Sequence, residues 1–279
     1  MKRDQINSAK RVVIKIGSST LTGKAGEQLD KKHVGEIVDI VSTLRAQGKE
    51  VVLVSSGAIA AGLAPLGMSV RPEDLATQQA AASVGQGLLI SYYNEAFSGH
   101  SLLSSQVLLT IDDFVRPEHY ENAQRTLFKL LELKVVPIIN ENDTVGVQEI
   151  RFGDNDRLAA LVAHLIGADF LILVSDIDAL YDAPPSNEDA KRISNVTDVN
   201  ALEGVQIGGV GPSGVGSGGM VTKIDAAKIA TSAGITMLLT SLEKLPSALA
   251  GSDEGTVFEA TADPGASSYD QIMSFFIKP

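Results

Sequence analysis

Cysteine is missing altogether from this chain of 279 residues. Disulfides, thiolate metal sites and cysteine nucleophiles are thereby excluded, and the absence fits a reducing compartment. Long apolar stretches are missing too. Runs such as Val51–Val54 and Phe170–Val174 fall far short of the roughly 20 residues that span a bilayer as a helix. The N-terminus lacks the apolar core of a secretory signal. Together these absences predict a cytoplasmic protein with no membrane partner. Basic charge is also scarce. The 23 Lys and Arg against 34 Asp and Glu leave a formal net charge of −11. A nucleic-acid partner calls for a basic patch and a high pI, and neither is there. The acidity favours solubility, and it obliges any anionic substrate to be met by donors placed locally. The histidines, His33, His100, His119 and His164, show no ligand spacing, and no motif suggests a Ser–His–Asp arrangement. There is no internal repeat and no low-complexity segment.

What is present is an ordinary globular balance, 44% hydrophobic and 20% charged. Short β-branched runs alternate with helical patterns. Arg11–Ile16, Glu50–Val54, Gln106–Leu109, Val135–Ile139, Phe170–Val174 and Ile235–Leu239 read as strands. Between them, Asp30 reads as a helix cap ahead of Val34, Ile37, Val38, Val41 and Leu44 at helical spacing, with Gly48 as a stop. Further helices are expected over Ala80–Phe97, Glu118–Leu133, Arg157–Ile166 and Met220–Ala233. The strands are continuously apolar, which predicts burial on both faces in a parallel sheet covered by helices. Ala183–Asp189 and Gly204–Gly219 read as loops, the latter holding eight of the 26 glycines.

In open α/β sheets ligands gather where the strands end. Here the strand ends carry Gly17-Ser18-Ser19, Ser55-Ser56-Gly57, Asn140-Glu141-Asn142-Asp143 and Ser175-Asp176. Small and polar residues of this kind expose backbone N–H groups that suit anions. The segment Gly214–Lys223 lets a backbone approach phosphates closely, and Lys223 lies one turn into the following helix. Its letters match G-x-G-x-x-G, yet no apolar strand precedes it and no acid follows at the dinucleotide offset. The protein-kinase motifs that would have to accompany it are absent. A Walker loop fails as well, because Gly17 to Gly23-Lys24 has one residue too many and Ala25 follows. A flexible surface linker remains the simple alternative for this loop. An isolated lysine at a strand edge is usually solvated. Lys15, flanked by Val13, Ile14 and Ile16 on a buried strand, needs an anionic partner. Gly153–Asp156 reads equally as a helix cap, and Asn142-Asp143 equally as a turn.

Taken together, the motifs resemble the amino-acid kinase family, in particular its members that act on glutamate. The segments are VVIKIGSSTLT at Val12–Thr22, LVSSGAIAAG at Leu53–Gly62 and VVPIINENDTV at Val135–Val145. They continue with FGDNDRLAALVA at Phe152–Ala163, LILVSDIDALY at Leu171–Tyr181 and GSGGMVTKIDAAKIA at Gly216–Ala230. The resemblance implies a three-layer αβα sandwich around a mostly parallel open sheet. It implies an amino-acid-binding lobe over about residues 1–165 and a nucleotide-binding lobe over about 166–279. The implied reaction is ATP-dependent phosphorylation of the γ-carboxylate of L-glutamate, the first step of proline biosynthesis. Carried over residue by residue, Lys15 and Lys223 stabilise the moving phosphoryl group, and Asp156 organises the lysines or Mg²⁺. Ser56, Gly57, Asp143 and Asn155 bind glutamate. Lys15, Ser175, Asp176, Ser217, Gly218, Gly219, Met220, Val221, Thr222 and Lys223 line the ATP site.

The resemblance also implies Mg²⁺ with unassigned ligands, proline as a feedback inhibitor, a downstream glutamyl phosphate reductase and a homo-oligomer. Two residues depart from the family pattern. Ala179 stands where Gly is usual and predicts an altered local turn, and Asp182 stands where Thr is common. Ending at Pro279, the chain is expected to lack the C-terminal PUA domain of many relatives. The alternatives are a kinase for acetylglutamate, aspartate, carbamate or uridylate, which would keep the two lysines and change the acceptor, and a non-catalytic nucleotide or amino-acid sensor on the same scaffold.

Overall fold

The structure, a computed structural model, describes residues 5–22, 29–146, 155–184, 187, 189–202, 219–263 and 268–276. The chain opens with α1 (Gln5–Ser8), β1 (Arg11–Ile16), α2 (Ser18–Leu21) and α3 (Lys31–Ala46). Then come β2 (Glu50–Ser55), α4 (Ala58–Leu63), α5 (Leu75–Gly99), β3 (Ser104–Leu109), α6 (Asp112–Val115), α7 (Pro117–Glu132) and β4 (Val136–Glu141). The second half holds α8 (Asn155–Leu165), β5 (Phe170–Ser175), β6 (Leu180–Tyr181), β7 (Arg192–Ile193) and β8 (Asn195–Val196). It closes with α9 (Met220–Ser232), β9 (Thr236–Ser241), α10 (Leu245–Leu249), β10 (Thr256–Phe258) and α11 (Tyr269–Ser274).

One 8-stranded sheet runs in the order β3-β4-β2-β1-β5-β9-β10-β8. The strands from β3 to β9 are parallel to their neighbours, and β10 runs antiparallel to β9. This is the mostly parallel sheet that the apolar runs predicted. Helices cover both faces. On one face α3, α5 and α10 pack over Val12, Ile14, Ile16, Leu53 and Ile172. On the other, α7, α8 and α9 pack over Val13, Val52, Val54, Leu171 and Met237. Successive side chains of a strand point to opposite faces, so each central strand feeds both layers and must be apolar throughout.

Most boundaries fall within two residues of expectation. Asp30 caps α3 as read, its side chain accepting from Lys32 N at 2.8 Å. The long helix is the exception. It starts at Leu75, not Ala80, because Asp74 caps it by accepting from Thr77 N at 2.8 Å. Ala179, expected to alter its turn, is buried, and among the described residues the non-glycines with positive φ are Ser101 and Lys134, so this position does not call on glycine's freedom. The loop read over Gly204–Gly219 lies outside the described residues except for Gly219.

The sheet order contains a switch. Starting from β1, the chain first fills one side with β2, β3 and β4, then the other with β5 and β9. The reversal falls between β1 and β5, where open α/β sheets form their ligand crevice.

Candidate active site

β1 and β5 end at that reversal, and Gly17 N donates to Val174 O at 3.2 Å across it. Lys15 shares the parity of Val13, so it leaves β1 on the face covered by α8 and α9. There it meets Asp156, in the first turn of α8, with Nζ 2.5 Å from Oδ1. Lys223, in the first turn of α9, donates to Oδ2 at 3.1 Å, and Thr222 Oγ1 donates to the same oxygen at 3.1 Å. Lys15, Asp156 and Lys223 are only 2%, 1% and 3% exposed. Charges so buried are costly unless paired, and one carboxylate between two ammoniums meets that need for both. The trio still carries a net charge of 2 − 1 = +1. Two helix N-termini point at it, each with a partial positive charge. The arrangement favours a group that gains negative charge.

Ser175 and Asp176 follow β5, with Ser175 Oγ donating to Asp176 Oδ1 at 3.0 Å. They line a groove of about 630 Å³ together with Ser19, Thr20, Leu242 and Glu243. Gly219 caps α9, and Met220, Val221, Thr222 and Lys223 form its first turn. Ser217 and Gly218 lie outside the described residues.

On the other side of β1, Ser56 N donates to Ile16 O at 3.1 Å. Gly57 turns the chain into α4 with φ of 94°, a conformation that side chains disfavour. α4 and α5 then touch backbone to backbone. A Cβ on Gly62 would stand 1.9 Å from Ala81 O, and one on Gly85 1.8 Å from Ala58 O. This contact brings α5 against the strand ends. Behind it, Ser55 Oγ lies 3.1 Å from Tyr93 OH, and burial pushes that phenol up to about 12.

Asn155, next to Asp156, is part of a buried amide line. Its Nδ2 donates to Ser55 O at 2.9 Å and to Asn140 Oδ1 at 2.7 Å. Asn140 Nδ2 donates in turn to Gln86 Oε1 at 2.7 Å. Asp143 sits in the turn after β4, closed by Gly146 N donating to Asn142 O at 3.1 Å. It lines a cavity of about 230 Å³ with Gln86, Glu141, Asn142 and Thr144. Among the described residues, no three His, Asp or Glu side chains are grouped to hold a metal ion.

The structure therefore joins Lys15, Asp156, Thr222 and Lys223 directly. It links Ser55 and Asn155 to them through the first turn of α8, and sets Ser175-Asp176 and Asp143 in separate recesses. Asn140 was read from sequence only as part of a polar strand end, with no role of its own, and Gln86 was not singled out. Gln86 had a readable signal, because it shares the buried stripe of α5 with Ala82, Leu89 and Tyr93.

The sequence model of the amino acid kinase family matches residues 10–241. The chain is similar to the glutamate 5-kinase of Salinispora arenicola, 60% identical over 256 residues that cover 92% of this chain and 69% of that one. It is similar to that of Streptomyces coelicolor, 55% identical over 271 residues, 97% of this chain and 71% of that one. The glutamate 5-kinase of Clavibacter sepedonicus is 52% identical over 256 residues, 92% of this chain and 96% of its own length. Among solved structures, carbamate kinase from Giardia lamblia bound to AMP-PNP superposes with a TM-score of 0.63 at 20% identity, covering 90% of this chain and 99% of that one. UMP kinase from Bacillus anthracis superposes with a TM-score of 0.59 at 15% identity, covering 91% and 97%. At such identities these two likenesses concern the fold alone.

Proposed function

The chain belongs to the amino acid kinase family, and from that premise we propose how its residues carry out the reaction of its glutamate 5-kinase relatives. The protein transfers the γ-phosphoryl group of ATP to the γ-carboxylate of L-glutamate, giving γ-glutamyl phosphate and ADP in the first step of proline biosynthesis. The observation that carries the residue assignment is the buried Lys15–Asp156–Lys223 trio beside the β1/β5 reversal.

The nucleophile is a carboxylate with an ordinary pKa of about 4.3, already ionised at neutral pH. No general base is required. A carboxylate oxygen bonds to the γ-phosphorus as the bond to the β-phosphate oxygen breaks, and ADP leaves. The work left to the protein is alignment and stabilisation of the phosphoryl oxygens. Lys15 and Lys223 clamp those oxygens, and Asp156 holds both ammoniums at the spacing the phosphoryl group needs. Ser175, Asp176 and the segment Ser217–Lys223 take the nucleotide. Ser56, Gly57 and Asn155 take the amino acid, and Asp143 pairs with its ammonium. The two sides correspond to lobes of about residues 1–165 and 166–279. Mg²⁺ would be held mainly by the phosphates, with Asp156 as a carboxylate beside the two lysines, and would neutralise their charge. The acyl phosphate is labile, so handover to a glutamyl phosphate reductase belongs to the same reading. So do feedback inhibition by proline, a homo-oligomer and a cytoplasmic setting.

The test is a hydroxylamine trap run with ATP, Mg²⁺ and each candidate acid. L-glutamate should give the acyl hydroxamate. Turnover of acetylglutamate in its place would sink the substrate reading, and conversion of UMP to UDP at the expense of ATP, with no hydroxamate, would point to a nucleotide acceptor.

A further inference from the structure

Two main-chain groups anchor the buried amide line, and together they set its direction. The Ser55 carbonyl can only accept, so Asn155 must present Nδ2 to it. Glu141 N can only donate, at 2.9 Å, so Asn140 must present Oδ1. Asn140 Nδ2 is then the end left for Gln86, which must offer Oε1 inward. The same logic turns Gln86 Nε2, with its two hydrogens, outward. Gln86 is 8% exposed, and its Nε2 has no partner among the described residues. Nε2 is thus the end of this largely buried side chain that reaches solvent, where a ligand or water can meet it. Gln86 lines the same cavity as Asp143.

Among the described residues, the lining of that cavity includes Glu141 and Asp143 and no Lys, Arg or His. Carboxylates there suit the ammonium of an amino acid, and the α-carboxylate beside it calls for a donor in a fixed position. Ser83, Gln106 and Thr144 also line it, but they are exposed and free to turn. Gln86 is largely buried, and the backbone dictates the orientation of its donor.

We propose that Gln86 is a specificity-determining residue that donates from Nε2 to the α-carboxylate of the bound amino acid, while Asp143 takes its ammonium. The proposal rests on the reading of the Asp143 cavity as the glutamate site. A neutral donor in a fixed position rewards a carboxylate and gains less from an amide, which brings hydrogens of its own.

The experiment compares L-glutamate with its α-amide, L-isoglutamine, in the hydroxamate assay. Both keep the γ-carboxylate that accepts phosphate. The variant is Gln86→Glu, assayed near pH 8, well above the ordinary glutamate pKa of about 4.3. It preserves an inward oxygen for Asn140 and replaces the outward donor with an acceptor. The expected result is a rise in KM for L-glutamate, an unchanged KM for ATP, and a fall of about tenfold or more in the preference for L-glutamate over L-isoglutamine. Should Gln86→Glu fail to fold, Gln86→Leu is read with the same pair and should also lose preference. If Gln86 only props up Asn140, both substrates suffer by one factor and the ratio stays put, which overturns the assignment. A wild-type protein inactive on L-glutamate would overturn the substrate reading, and the proposal with it. An active wild type with an unchanged ratio removes Gln86 alone.

Discussion

Replacing Asp156 with Asn tests the charge trio most directly. The substitution keeps the shape of the side chain and removes one negative charge from between two ammoniums. Lys15, 2.5 Å from Oδ1, and Lys223, 3.1 Å from Oδ2, both lose their shared counter-charge while remaining 2% and 3% exposed. Removing one partner of a buried ion pair costs about 3–5 kcal/mol, because the other charge stays buried with less compensation. For a domain of this size, each kcal/mol lowers Tm by about 2–4 °C, so a fall of roughly 6–20 °C is expected. The deficit should shrink when ADP or phosphate is added, since an anion then supplies the missing charge. Turnover should fall about 100-fold or more, the scale for losing a preorganised electrostatic contact. Thermal melts with and without ADP, alongside hydroxamate formation, measure all three effects. A variant with wild-type Tm would refute the claim that Asp156 is the shared counter-charge of two buried lysines. A destabilised variant with wild-type kcat would show that the trio is only structural.

Four further outcomes follow from the structure. Gly85→Ala drives a Cβ to 1.8 Å from Ala58 O and 2.4 Å from Gly62 N, so it should cost about 3 kcal/mol in urea denaturation. Gly35→Ala in α3 meets nothing within 4 Å and should stabilise by up to about 1 kcal/mol. Asp143→Asn should raise KM for L-glutamate about tenfold or more while KM for ATP stays within twofold, since a charged pair is lost on the amino-acid side only. An unchanged glutamate KM would remove Asp143 from the substrate site. Burial holds the imidazole of His164 below its ordinary value of 6.5, against the opposing effect of its contact with Gln271. The unfolded chain then binds that proton more readily, so this stability is present above about 6.5 and is lost as pH falls below it. Urea midpoints between pH 7 and 5 should fall more steeply for wild type than for His164→Gln, and parallel curves would contradict the assignment.

Much of this protein is decided along the chain. Continuous apolar runs such as Val12–Ile16 and Phe170–Val174 specify strands buried on both faces, since every residue of such a strand meets one helical layer or the other. Asp30 and the spacing Val34, Ile37, Val38, Val41 determine α3 within its own segment. A lysine amid β-branched residues announces a buried ammonium and hence a carboxylate partner. Which carboxylate, and that one would serve two lysines, was beyond local reading. Asp156 and Lys223 stand 67 positions apart and meet only because α8 and α9 start side by side over β1. β10 is three residues long and exists as a strand only through its pairing with β9 and β8. Gln86 was a polar letter in an apolar stripe. Its outward-facing donor is set by Ser55 and Glu141, main-chain groups of two other elements. Local sequence fixes what a residue needs, through its apolar area, its charge and its donors. The crossing of distant elements decides what meets that need.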